Sequence, residues 1–211
     1  APKEEFIIRT KLHRPMLSKD HLHRDDLLRR FRQKHHRPLT LVSAPAGYGK
    51  STFVSCWLDT CDTPSAWLSL DENDNDTRLF LSYFISAIRQ IFPLACGETL
   101  SMLKVAHIPP LSHLAGSLIN EIEQIQKEFV LVLDDYYTVH GEAVLDFLNV
   151  LVHHWPPPMH LVLISRLNPS LPLASLRAKG LITEIRGRDL RFTRDETSEY
   201  LGRVLPAPLS E

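Results

Sequence analysis

The stretch Leu39-Thr-Leu-Val-Ser-Ala-Pro-Ala-Gly-Tyr-Gly-Lys-Ser-Thr52 decides how the rest of the chain is read. A short β-type apolar run ends at Ser43, a loop follows, and Gly49-Lys50-Ser51 opens a helix, the context a phosphate-binding loop requires. Gly47 and Gly49 let the backbone curl so that successive N–H groups face phosphate oxygens. The residues Ala46, Gly47, Tyr48, Gly49, Lys50, Ser51 and Thr52 are the expected nucleotide-binding set. Within it Lys50 reaches the β- and γ-phosphates, Ser51 takes a Mg²⁺ position, and the helix adds its positive dipole end. One position departs from G-x-x-x-x-G-K-[ST]: Ala44 stands where the pattern has glycine.

A second stretch, Phe129-Val-Leu-Val-Leu-Asp-Asp135, follows roughly eighty residues downstream of the loop lysine. Its uninterrupted apolar run predicts a strand buried on both faces of a parallel sheet. Doubly wound sheets bind ligands outside the carboxyl ends of their strands, which is where the two carboxylates stand. Asp134 is the expected Mg²⁺ holder, with Ser51, and Asp135 is placed to orient or deprotonate an attacking water. Either stretch alone has an ordinary turn as its alternative. Together they predict binding of a nucleoside triphosphate, ATP or ADP, with Mg²⁺.

The 211 residues suffice for a substantial core, and 44% hydrophobic with 23% charged residues is an ordinary globular balance. Three cysteines without a CxxC pair fit no disulfide framework, so a reducing cytoplasm is the simplest setting. Apolar runs are far too short to span a membrane. Residues 1–40 hold 11 of the 24 Lys/Arg and 5 of the 25 Asp/Glu. A basic arm of this kind is a nucleic-acid contact or a solvated helix face. Leu27, Leu28 and Phe31 favour the packed helix, expected from a cap at Ser18 or Asp20 through about Gln33. His35-His36 reads as a polar loop rather than a metal site.

Further along, Ser65–Leu70 reads as a strand. The acidic run Asp71–Asp76 fails the calcium-loop pattern, having Asp76 where glycine is needed, and reads as a turn and helix cap. Helices are expected over 77–92, from Ser112, over 141–154 and from the capping box at Thr193, with 93–110 as loop. His160–Arg166 is a fourth strand and Leu181–Ile185 a fifth. Ser165 and Arg166 end that fourth strand, so they are candidate sensors of the γ-phosphate. The alternation, β-α-β-α-β-α-β-β, predicts a three-layer α/β/α sandwich on a mainly parallel five-stranded sheet. Residues 1–37 form the expected arm and first helix, 38–193 the core, and 194–211 the start of a following helix.

The segments Ser43-Ala-Pro-Ala-Gly-Tyr-Gly-Lys-Ser, Trp67-Leu-Ser-Leu-Asp-Glu-Asn-Asp, Leu131-Val-Leu-Asp-Asp-Tyr, Leu163-Ile-Ser-Arg166 and Leu190-Arg-Phe-Thr-Arg-Asp-Glu196 occur in that order. In this the chain resembles the N-terminal ATPase domain of MalT-like transcription regulators, the ATP-binding LuxR-type activators of the STAND class. The resemblance runs from Leu12 to about Leu201, with Ala44 replacing a motif serine. It implies an ADP-bound resting form, exchange for ATP, self-association, transcription activation and a slow, resetting hydrolysis. It also implies that Arg14 and Pro15 lie by the adenine and that Arg166 is the sensor arginine. Inducer and DNA would be bound by further domains of a longer parent, and no membrane is involved. The alternative is a stand-alone ATPase or small-molecule kinase. A GTPase is disfavoured because the chain has no N-K-x-D motif.

Overall fold

The computed structural model describes residues 7–17, 22, 24–32 and 37–204, excepting the side chains of Arg30 and Arg32. Five strands, β1 (Leu39–Ser43), β2 (Ser65–Ser69), β3 (Phe129–Asp134), β4 (Met159–Ser165) and β5 (Ile182–Arg186), form one parallel sheet in the order β2-β3-β4-β1-β5. The crossovers carry α2 (Lys50–Asp59), α3 (Thr77–Ile91), α4 (Gly97–Leu103), α5 (Leu111–Glu123), α6 (Glu142–His153) and α7 (Leu173–Ala178). Before β1 lies α1 (Asp25–Arg32), and after β5 come α8 (Gly187–Leu190) and α9 (Arg194–Val204).

The central strands look uniformly apolar, yet residue shape sorts between the sheet's faces. Leu39, Leu41, Leu131, Leu133, Leu161 and Leu163 join the core that also takes Phe80, Phe84 and Phe147 of α3 and α6. Val42, Val130, Val132, Val162 and Ile164 face the other way, against Phe53 and Trp57 of α2 and Phe31 of α1. Leucines thus line one face of the sheet and β-branched residues the other, with aromatic rings packed on both. Phe31 meets Phe53 and Trp57 edge-on at centroid distances of 5.6 and 4.8 Å, which fastens α1 to α2. Truncating Phe31 to alanine would cost roughly 3–5 kcal/mol.

Register then assembles the site. β4 lies between β1 and β3, pairing Ser43 with Ser165 and Leu133 with Leu163. The carboxyl ends of the phosphate-loop strand, the Asp-Asp strand and the Arg166 strand therefore meet at one edge of the sheet.

Three expectations need correction. Residues 93–110 are not all loop: α4 forms there because the Glu121 carboxylate, from α5, accepts the Glu98 and Thr99 N–H groups at 2.9 Å. That cap comes from far along the chain, so local composition does not announce it. The β4–β5 connection contains α7, which makes the crossover regular. Helix α1 begins at Asp25, and the anticipated caps Ser18 and Asp20, with Gln33, His35 and His36, lie outside the described residues. The acidic run does fold as a turn with a cap: Asp71 and Asp74 form a capping box and Asp76 accepts from Leu79 N–H at 2.9 Å. Thr193 and Glu196 likewise exchange N–H bonds at the start of α9. Among the described residues no helix is long and apolar enough to cross a membrane.

Candidate functional site

Between β1 and α2 the backbone turns through Gly47 (φ 81°) and Gly49 (φ 69°), both left-handed, the second capping α2. Side chains would strain these positions. A Cβ added at either glycine would meet nothing within 4 Å, so it is the backbone conformation and not crowding that calls for glycine here. The Lys50 ammonium lies over this loop, donating to the Pro45 carbonyl at 3.0 Å. Burial lowers its pKa, the Arg166 charge adds to that, and the charges of Asp134 and Asp135 oppose it.

The Ser51 hydroxyl hydrogen-bonds the Asp134 carboxylate, bringing together the two residues read as a metal pair. Burial raises the pKa of Asp134, while the bonds from Ser51 and the Asp135 N–H (2.8 Å) favour its charged form. A hydroxyl and a half-satisfied carboxylate beside a buried lysine are hard oxygen donors of the kind Mg²⁺ prefers. The group fits.

Asp135 stands just beyond β3 at φ 55°, one of two described non-glycine residues with positive φ. Such a backbone costs roughly 1–2 kcal/mol and persists where its surroundings over-determine it. Here the next turn does so: Thr138 donates both its N–H and its hydroxyl to the Asp135 carbonyl at 3.0 Å. In the same turn the Tyr137 ring supports Arg166, whose guanidinium carbon is 4.5 Å from the ring centroid. Ser165 lies beneath, 1% exposed, its hydroxyl oxygen accepting the Leu167 N–H at 3.2 Å. It shapes the turn that presents Arg166.

Beside the loop opens a cavity of about 670 Å³, a size suited to a small organic ligand. Gly47, Tyr48, Gly49 and Thr52 form its phosphate-loop side. Leu22, Arg24 and Leu28 come from the N-terminal region, and Leu190, Arg191, Phe192, Tyr200 and Val204 from the C-terminal one. One guanidinium ties these two walls together. Arg24 donates through Nε and Nη2 to both oxygens of Glu196 at 2.9 and 3.1 Å, and through its Nη atoms to the carbonyls of Leu190 and Arg191 at 2.8 Å. It also lies 5.1 Å from the Phe192 ring centroid.

Arg14 and Pro15, expected beside the base, do not line this cavity. Arg14 pairs with Asp59 at the far end of α2, and the Pro15 carbonyl accepts from Ser55 at 3.2 Å. Helical rise puts Asp59 roughly 14 Å from Lys50. The basic arm does reach the cavity, through Arg24.

With the site in view, the chain can be set beside known proteins. It is 33% identical over 204 residues to the HTH-type transcriptional regulator MalT in two Klebsiella pneumoniae strains. The chain is homologous to MalT over that segment. The match takes in 97% of this chain but 22% of each relative, so the chain spans about a fifth of their length. No protein-family model matches the chain. Among solved structures it is similar to a Walker-type ATPase of Pyrococcus abyssi (TM-score 0.54, 15% identity, 90% of this chain and 60% of that one). It is also similar to Cdc6p of Pyrobaculum aerophilum (TM-score 0.55, 15% identity, 93% and 53%). At that identity the likeness concerns the fold: a three-layer α/β/α architecture shared with P-loop ATPases.

Sequence reasoning missed Arg24, Phe192 and Tyr200. The available signals were the segment Leu190–Glu196, which holds Phe192, and its capping box at Thr193–Glu196, which placed Glu196 at a helix start but could not name its partner.

Proposed function

We propose that the chain is the nucleotide-binding switch domain of a MalT-type transcription activator. The observation that carries this reading is the continuity between the phosphate loop and the cavity spanned by Arg24. A cradle of N–H groups and Lys50 at one end, and an apolar chamber at the other, match the two halves of an adenine nucleotide.

In this reading the N–H groups of Ala46 to Ser51 hold the phosphates, and Lys50 neutralises them. Mg²⁺ would be held by Ser51 and, through water, Asp134, where it supplies charge neutralisation between the phosphates. Asp135 orients or deprotonates the attacking water, and Arg166 senses the γ-phosphate from its seat on Tyr137. Leu28, Phe53 and Tyr200 enclose the base, and Thr52 lies at the junction. Residues 1–37 act as arm, 38–193 as core, and 194–211 as the start of a following helix. ADP marks the resting state, ATP exchange promotes self-association, and slow hydrolysis resets the switch. Inducer and DNA would engage other parts of a longer protein.

The test is to denature the purified protein and identify any released nucleotide by chromatography, then titrate the emptied protein with ATP and ADP. Stoichiometric ADP, or tight rebinding of either nucleotide, is the expected result. A protein that releases no nucleotide and binds neither would overturn the proposal.

A further inference from the structure

The turn after β3 has its own short hydrogen bonds and is also gripped from the turn after β2. Asn75, in the 3-10 turn Glu72–Asn75, extends its amide across the gap. Its Nδ2 donates to the Thr138 carbonyl at 2.9 Å and to the Glu72 carbonyl at 3.0 Å. Its Oδ1 accepts the N–H groups of His140 at 2.7 Å and Gly141 at 2.6 Å. One side chain thus satisfies both sides of the 138–141 backbone. The approach is close enough that a Cβ at residue 141 would stand 2.7 Å from the Asn75 carbonyl oxygen. Glycine is therefore what lets the two turns meet.

What Asn75 holds is the segment that fixes Asp135. Thr138, held by Asn75 through its carbonyl, anchors the Asp135 carbonyl through its N–H and hydroxyl. Tyr137, between them, carries the Arg166 guanidinium. The grip is itself braced: the Lys11 ammonium reaches Asp71 at 3.1 Å and the fully buried Asp74 at 2.5 Å in the turn that bears Asn75.

We propose that Asn75 is a positioning residue for hydrolysis, setting the Asp135 carboxylate and the Arg166 guanidinium through the 136–141 turn. This rests on the reading above, in which Asp135 handles the attacking water. Asn75 touches neither phosphate loop nor cavity, so it is separable from nucleotide binding.

The experiment measures ATP affinity and single-turnover hydrolysis for the wild-type chain, Asn75→Ala, Asp135→Ala and the double variant. Misplacing a reacting group by about an ångström can cost roughly 100-fold, so a loss of at least roughly tenfold in rate is expected for Asn75→Ala, with affinity unchanged. In the Asp135→Ala background the second substitution should cost clearly less than in the wild-type chain, because only the Arg166 guanidinium is left to position. Hydrolysis at the wild-type rate, or an equal added loss in the absence of Asp135, would overturn the proposal. If Asn75→Ala loses nucleotide binding through misfolding, Thr138→Val, which removes only the hydroxyl bond to Asp135, is judged by the same criteria. A wild-type chain that binds ATP without hydrolysing it would sink this role for Asn75 and leave the nucleotide-binding reading intact. A chain that binds nothing would sink that reading instead.

Discussion

The two ends of the site are built on different principles. At the phosphate end, the functional groups sit at the last residue of a sheet strand or within nine residues beyond it, and the register of β1, β3 and β4 fixes their spacing. At the other end, the cavity walls come from residues 22–28 and 190–204, which share no strand ladder. They are held by apolar contacts and by the hydrogen bonds of Arg24. A frame of parallel strands presents phosphate ligands with fixed geometry. A chamber joined by side-chain contacts and the bonds of Arg24 depends on no strand pairing. An adenine nucleotide would bridge both, and each end can be tested by itself.

The largest effect is expected from Lys50→Ala. Removing a charge-assisted bond to phosphate costs up to roughly 3 kcal/mol, about 100-fold in affinity. Calorimetric titration should show that loss for ADP and for pyrophosphate alike, since both use the phosphate end. ADP bound at wild-type affinity would mean that the chamber, not the loop, carries the binding.

Arg24→Ala should separate the ends. Its loss frees the 190–196 segment, and release of a fluorescent ADP analogue should speed up roughly tenfold, because changes of this kind fall mainly on dissociation. Pyrophosphate, which has no base, should bind as before. Glu196→Gln removes the charge but keeps one carbonyl acceptor, so it should fall between. Equal weakening of ADP and pyrophosphate would show that Arg24 supports the whole fold rather than the chamber.

The contrast also explains what the sequence disclosed. Phosphate chemistry needs glycines, a lysine, a hydroxyl and carboxylates at set distances from strand ends, so contiguous residues carry it and Gly47–Ser51 and Asp134–Asp135 were legible. The chamber needs apolar walls of no particular identity from remote segments. Nothing in the arm distinguishes Arg14, which pairs with Asp59, from Arg24, which reaches Glu196 172 residues away. Asn75 illustrates the same limit. Its acidic neighbourhood reads correctly as a turn and cap, yet its amide bonds reach residues 138–141, a proximity created only when β2 and β3 pair. Local patterns disclose elements; partners across the sheet appear with the topology.

The smallest effect belongs to the edge strand, and its pH dependence tells charge from shape. Glu184 on β5 accepts two bonds from Arg177 of α7, at 2.7 and 2.9 Å, and pairs with Arg186, which also reaches Asn168 beyond Arg166. The Arg177 bonds above all, with help from Arg186 and against the cost of partial burial, pull the Glu184 pKa from 4.5 to about 2. A carboxyl depressed in the folded state adds stability above its unfolded pKa and loses it as pH falls toward the folded value. Because Arg177 is about half exposed, the contribution is modest, roughly 0.5–1 kcal/mol at neutral pH. Urea unfolding should therefore show Glu184→Gln slightly destabilised at neutral pH. The deficit should shrink as pH falls below 4.5 and close toward about 2, where wild type is also losing the charge. Nucleotide affinity should not change, since Glu184 lines neither end of the site. A deficit that stays constant down the acid limb would mean that Glu184 holds β5 by fit rather than by charge. The edge strand would then bear on the Arg166 turn only as packing.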